Sequence, residues 1–230
     1  MKTSVIALFV GVGLLCATIN LRAEVLTYRD AFDRKAGQDG KPLDLRPIGA
    51  GKLAWEASAN VVLAEGKGVR VTDNGPFVSR VALPAQFKTV TIEADIKPAK
   101  TEQGWISIGM GGGTIDNPSF GGLFLLLRQS GLYSLMFNPD PDDPRSAKAF
   151  ALKTGYIQTW NPDTLNSLKI VYDRDAGTIS AYANSDELLV DSVSLKEKSL
   201  VLDAAYAGFS GVFQSSRQRG IGKFNVTISK

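Results

Sequence analysis

From residue 60 onward, apolar and polar positions exchange places every second residue in short runs. The runs are NVVLA (60–64), GVRVT (68–72), FVSRVAL (77–83), KTVTIEADIK (88–97), WISIGM (105–110) and GLFLLLR (122–128). LYSLMFN (132–138), NSLKIVYD (166–173), GTISAYA (177–183), ELLVDSVSL (187–195), YAGFSGVF (206–213) and KFNVTISK (223–230) continue the series. Successive side chains of a strand point to opposite faces, so this period of two predicts strands with one buried face. No segment carries a helical stripe with caps; KEKSLVLDA (196–204) has room for one turn at most. A dozen short strands without a repeat period predict an all-β fold, a two-sheet antiparallel jelly-roll sandwich.

The punctuation between runs agrees. Asp-Ala-Gly in YDRDAGT (172–178) predicts a hairpin, because glycine takes positive φ without cost. RQSGLY (128–133) does the same between two strands that read as apolar on both faces and are therefore expected to be central. Two connections are longer: GGGTIDNPSFGG (111–122) is glycine-rich, and residues 138–164 are polar, proline-punctuated and expected to be irregular. Connections of that length in a β domain are functional or mobile.

One apolar run breaks the alternation. Lys2 followed by the unbroken stretch Val5 to Cys16 and then Ala23 has the layout of an export leader, too short to span a bilayer and with no second apolar stretch after it. Cleavage after Ala23 leaves a domain of 207 residues (230 − 23), 24–230, periplasmic or secreted. Lipidation at Cys16 is the rival; Leu15 stands where a lipobox wants a small residue. Of 26 Lys+Arg, Lys2 and Arg22 leave with the leader, so 24 cations face 23 acids, a balance that gives no reason to expect nucleic acid or an anionic membrane as partner. Cys16 is the only cysteine and there is no histidine, which excludes Ser-His and Cys-His nucleophiles and imidazole or thiolate zinc sites. Any resident metal would be a hard, oxygen-bound ion such as calcium.

Several patterns resemble framework strands of the concanavalin A-like lectin/glucanase superfamily in its laminin G-like, bacterial exported form. YRDAFDR (28–34) with LDLRPIGAGKLAW (43–55) resembles its opening, and TIEADIKPAKTEQGWISIGM (91–110) its first strand pair. LNSLKIVYDRDAGTISAYANSDELL (165–189) resembles its central hairpin, and GIGKFNVTIS (220–229) its last strand. The resemblance implies a jelly roll over nearly the whole of 24–230 and, for function, binding of polysaccharide or cell-surface glycan. It also implies an alternative, a glycan-active hydrolase or lyase, and a further one, a protein-interaction module.

Glucanases of that superfamily place three acids on one strand, as E-x-D-x-x-E or E-x-D-x-E. Glu93 and Asp95 match the first two places, whereas Lys97 and Pro98 occupy both options for the third. Without that acid nothing protonates the leaving oxygen. The pair is therefore expected to be a solvated face opposite Val90, Ile92, Ala94 and Ile96. Relatives that join their first and last strands through calcium point to Asp33 and Asn225 as the counterparts here. Asp140, Asp142 and Asp143 in NPDPDDPRS cluster like calcium ligands or like a plain soluble turn. For a sugar, the expected contacts are Trp160 and Tyr156, whose rings can stack, Asn161, whose amide can read hydroxyls, and Arg128 at the end of an apolar run. Trp55 and Trp105, within alternating runs, are expected in the core. SSRQRG (215–220) reads as a hairpin tip.

Overall fold

The computed structural model describes residues 24–32, 38–48, 53–64, 68–97, 101, 103–143, 148–185, 187–213 and 219–230. The leader with Cys16, Asp33, Pro98 and most of SSRQRG lie outside these residues.

Among the described residues, fifteen strands form two antiparallel sheets. They are β1 (Val25–Asp30), β2 (Glu56–Ala57), β3 (Val61–Leu63), β4 (Val69–Val71), β5 (Gly75–Ala82), β6 (Thr89–Ile96), β7 (Trp105–Gly111) and β8 (Gly122–Leu127). They continue with β9 (Leu132–Phe137), β10 (Phe150–Tyr156), β11 (Asn166–Asp173), β12 (Thr178–Ala183), β13 (Glu187–Ser194), β14 (Tyr206–Phe213) and β15 (Arg219–Ser229). The eight-stranded sheet runs β13-β12-β11-β6-β15-β4-β3, with β1 also on β15; the seven-stranded sheet runs β10-β9-β8-β7-β14-β5-β2. Hairpin neighbours (β7 to β10, β11 to β13) alternate with pairings remote in sequence, β15 between β6 and β4 and β14 between β7 and β5, the interleaving expected of a jelly roll.

All twelve runs became strands. In β6 the burial alternates without a break, with Val90, Ile92, Ala94 and Ile96 against the core. Ile106, Ile108 and Met110 of β7 face them from the other sheet. At the centre, Trp55 packs edge-on against Phe209 (5.2 Å) and Phe224 (5.1 Å). The buried carboxylate of Asp30 accepts hydrogen bonds from the Trp55 indole N–H (2.9 Å) and the Phe32 amide (2.7 Å). That is the physical content of the Asp30, Phe32 and Trp55 positions of the opening pattern: one acid at the end of β1 fixes the chain path and orients the central ring.

Three strands went unread. β1 and the two-residue β2 are short or weakly apolar, and β10 lies inside the stretch expected to be irregular. β10 is an edge strand paired with β9 through a bulge between Ala151 and Lys153, and most of its side chains are exposed. With no buried face it leaves no apolar period to read. The expected centrality holds for β8, buried at every position, whereas β9 alternates and lies next to the edge. Residues 196–199 make turns and no helix.

Candidate functional site

Jelly rolls offer two surfaces for a ligand, the outer face of one sheet and the loops at the sandwich ends. The outer face of the seven-stranded sheet is largely occupied by the chain itself. Residues 112–121 leave β7 and fold back as a strap, placing Phe120 on Val78, Phe124 and Leu126 in a small second core, with Trp105, Ile115 and Met136 at its margin. The sheet beneath lacks side chains where the strap crosses: a Cβ on Gly109 would lie 2.8 Å from the Phe120 ring. Trp105 therefore lies outside the main core, half-buried against Phe124 (6.2 Å between centroids).

Polar groups fasten the strap. Arg80, buried, donates to the Gly113 carbonyl, forms a bidentate pair with Glu56 (3.0 and 2.9 Å) and stacks on Tyr206 (3.8 Å). Ser210 donates to the Pro118 carbonyl and lies 2.8 Å from the Ser107 hydroxyl. Asn117 donates to the Pro141 carbonyl (3.0 Å), and Asn138 to the Ser119 hydroxyl (2.7 Å). None of these residues was singled out from sequence. The available signal was a polar residue at an interior position of an apolar strand, as with Arg80 in FVSRVAL and Ser107 in WISIGM.

The expected sugar contacts gather at one sandwich end, around the β8–β9 turn. Arg128 opens that turn, its amide bonded to the Leu132 carbonyl (3.0 Å), at the opposite end of β8 from the strap. Tyr156 ends β10 opposite Leu132, with 61% of its surface exposed. Trp160 is half-buried: it packs against the main core, lies on Gly131 and donates its indole N–H to the Gln129 carbonyl (2.8 Å). Gly131 is required there, since its φ is +81° and a Cβ would lie 2.6 Å from the indole. Asn161 is exposed, and its side-chain oxygen accepts from the Asp163 amide (3.0 Å), an Asx turn that Asn166 braces from below.

Between these residues, one carboxylate holds the loop. Glu187 accepts from the amides of Gln158 (2.5 Å) and Thr159 (3.0 Å) and from the Thr159 hydroxyl (2.6 Å). Partial burial pushes its carboxyl up, but these three hydrogen bonds together outweigh it and hold the group below its ordinary value. Residues 157–161 are thus a braced platform.

Glu93 and Asp95 lie on the outer face of the eight-stranded sheet. Glu93 stands between Lys169 and Asn225 on the neighbouring strands, and Asp95 between Ser167 and Lys223. Asn225 donates weakly to Glu93 (3.4 Å), and its side-chain oxygen is buried without a partner among the described residues. Asp140 is paired with Lys148 (2.6 Å), whose hydrogen bond, with the Asp142 amide adding to it, holds its carboxyl below the usual range. Among the described residues no three acidic, histidine or cysteine side chains converge to hold a metal ion.

No protein-family model and no curated protein matches this chain. Solved structures do match in shape. The carbohydrate recognition domain of Emp47p aligns over 81% of this chain and 94% of its own at 13% identity, with a TM-score of 0.55. The potassium-bound form of the Emp46p carbohydrate recognition domain aligns over 80% and 94% at 15% identity (TM-score 0.53). The Ca2+/Man-bound exoplasmic/lumenal domain of VIP36 aligns over 86% and 90% at 13% identity (TM-score 0.53). At such identities the likeness establishes the fold alone: an all-β jelly-roll sandwich of two antiparallel sheets, the architecture of these carbohydrate recognition domains.

Proposed function

We propose that this chain is an exported, non-catalytic carbohydrate-binding module for polysaccharide or cell-surface glycan, with its contacts at the β8–β9 turn end. The observation that carries the reading is the exposed Tyr156 ring next to a loop that Glu187 holds rigid. Sugar recognition combines a ring face with polar groups already in place, and a braced loop lowers the ordering cost of binding. Trp160 and Asn161 extend the platform, and Arg128 lies at its border. The similar domains of VIP36, solved with Ca2+ and mannose bound, support a glycan as ligand. Their lumenal or exoplasmic setting supports export, with cleavage after Ala23 giving a periplasmic or secreted domain. The laminin G-like assignment belongs to this reading as well, through the framework patterns.

The test is a glycan array probed with the exported protein, in calcium and in chelator. Binding without release of reducing ends is expected. Tyr156→Ala should weaken it by about 1–3 kcal/mol, the scale of one stacked ring, with the melting temperature unchanged. Trp160→Phe, which keeps packing on Gly131, should retain most of the affinity. An array without any bound glycan, or cleavage of one, overturns the reading.

A further inference from the structure

Away from that end, three segments enclose a groove of about 450 Å3 on the β5 side of the seven-stranded sheet. The β2–β3 turn supplies Asn60, the β4–β5 turn Asp73 and Asn74, and the strap Ile115 and Asp116, with Pro76 at the rim. We propose that this groove is a second glycan subsite, selective for a neutral sugar over an acidic one; the proposal rests on the glycan-binding reading above.

The chemistry follows from the lining. The Asn60 side-chain oxygen is buried with no hydrogen-bond partner among the described residues, while its amide nitrogen donates to the Pro76 carbonyl (3.3 Å). Buried polar groups seldom go without a partner, and a turn of the Asn60 side chain toward the groove brings this acceptor to an entering hydroxyl. Asp73 and Asp116 add acceptors for hydroxyl hydrogens and charge that repels a uronate or sialate. Ile115 and Pro76 offer apolar surface to the C–H face of a pyranose. The volume falls within the range of small-molecule sites, about 300–1,000 Å3.

The walls are fixed before any ligand arrives. Ser58 and Val78 exchange two bonds, from the Ser58 amide to the Val78 carbonyl and from the Val78 amide to the Ser58 hydroxyl (both 2.9 Å). The Thr72 amide donates to the Asn60 carbonyl (2.9 Å), joining the two turns. Arg80 and Ser210 hold the strap that forms the third wall. Asp73, Asn74 and Asp116 are exposed at the rim, so ligand reaches them without a rearrangement.

Amide chemical-shift mapping on the exported protein tests this, with mannotriose and cellotriose as neutral probes and trigalacturonate as the acidic one. A neutral probe should shift Asn60, Asp73, Asn74, Ile115 and Asp116, and trigalacturonate should not. Asn60→Ala and Asp116→Ala, which remove an acceptor, should each weaken the groove signal about ten-fold, the equivalent of one hydrogen bond to a hydroxyl. Asp116 is exposed, so that variant keeps the fold, and Tyr156→Ala should leave the groove shifts in place. Shifts confined to the Tyr156–Trp160 end would overturn the groove and leave glycan binding standing. Preference for trigalacturonate, or groove binding lost in chelator and restored by calcium, would overturn direct recognition of a neutral sugar. If none of the probes shifts groove amides although an array glycan binds elsewhere, the subsite falls alone; if no glycan binds at all, both readings fall.

Discussion

The two sheets treat their outer faces in opposite ways. On the eight-stranded sheet, β6 shows solvent Thr89, Thr91, Glu93 and Asp95, flanked by Ser167 and Lys169 on β11 and by Lys223, Asn225 and Thr227 on β15. The same direction on the seven-stranded sheet holds Val78, Ser107, Gly109, Phe124, Leu126 and Gly208, and the strap covers it. A bare face needs polar side chains that satisfy themselves against water and each other, as Lys169 does over the Tyr182 ring (4.2 Å). A covered face needs apolar side chains, glycines for close approach, and a few buried polar groups paired with the strap's own carbonyls. The lesson concerns ligand sites. A sugar groove along the middle of the seven-stranded sheet would have to displace a packed second core, so the candidate sites lie around that core, at the β8–β9 end and beside β5.

The sharpest way to break the comparison is to unload the covered face. Phe120→Ala removes the strap's central ring from between Val78, Phe124 and Leu126, and should cost about 3–5 kcal/mol, as for other buried aromatic truncations. Urea denaturation reads it directly. A cost below about 1 kcal/mol, with the fold retained, would mean that the strap only rests on the sheet. Thr91→Ala, on the bare face, should stay within about 0.5 kcal/mol.

These differences were partly legible. GLFLLLR has no polar alternate, which is the mark of a strand covered on both sides, and TIEADIK alternates strictly, which is the mark of a strand covered on one. The strap itself was visible only as a glycine-rich connection, because its glycines answer to close approaches that have no period: Gly111 and Gly113 lie against the Phe120 carbonyl, and Gly121 against Pro141. The β10 edge was hidden for the converse reason: an exposed strand is stabilised by its backbone ladder alone, and any polar sequence serves. At the candidate site, ring-bearing residues stood out as residue types, whereas Glu187, which braces their loop from another sheet, carried no signal near 156–161. Aromatic character is local information; support across a sandwich is not.

A medium effect is expected where the two sheets meet, at Glu187. Its folded carboxyl lies below its ordinary value, so the stabilisation is complete above the unfolded value of about 4.3 and is lost as pH falls through the folded one. The site is solvent-screened, so the stabilisation is about 0.5–1 kcal/mol. The amide shifts of Gln158 and Thr159 should titrate together below about pH 4.3 and the loop should loosen there. Glu187→Gln should abolish that titration. Amides that titrate unchanged in the variant would assign the event to another acid and remove Glu187 as the brace.

The smallest effect belongs to the pair that most resembles a catalytic motif. Glu93 and Asp95 share a face two residues apart, as the nucleophile and supporting acid of a glucanase would. They occupy the bare sheet, and each has a cation across from it on one neighbouring strand: Lys169 opposite Glu93, Lys223 opposite Asp95. Cross-strand charge pairs on an open face contribute only about 0.2–1 kcal/mol, and solvent and salt reduce that further. Glu93→Gln retains an acceptor for the Asn225 amide (3.4 Å in the parent), and Asp95→Asn keeps the side chain's shape. Both variants should therefore stay within about 0.5 kcal/mol of the parent in stability. Their glycan binding should be unchanged, since neither candidate site includes a residue of β6. The measurement is a denaturation curve and an array profile for each. A folded Glu93→Gln that no longer bound or processed a glycan would move the functional surface to the bare sheet, and the contrast between the two faces would have to be read the other way round.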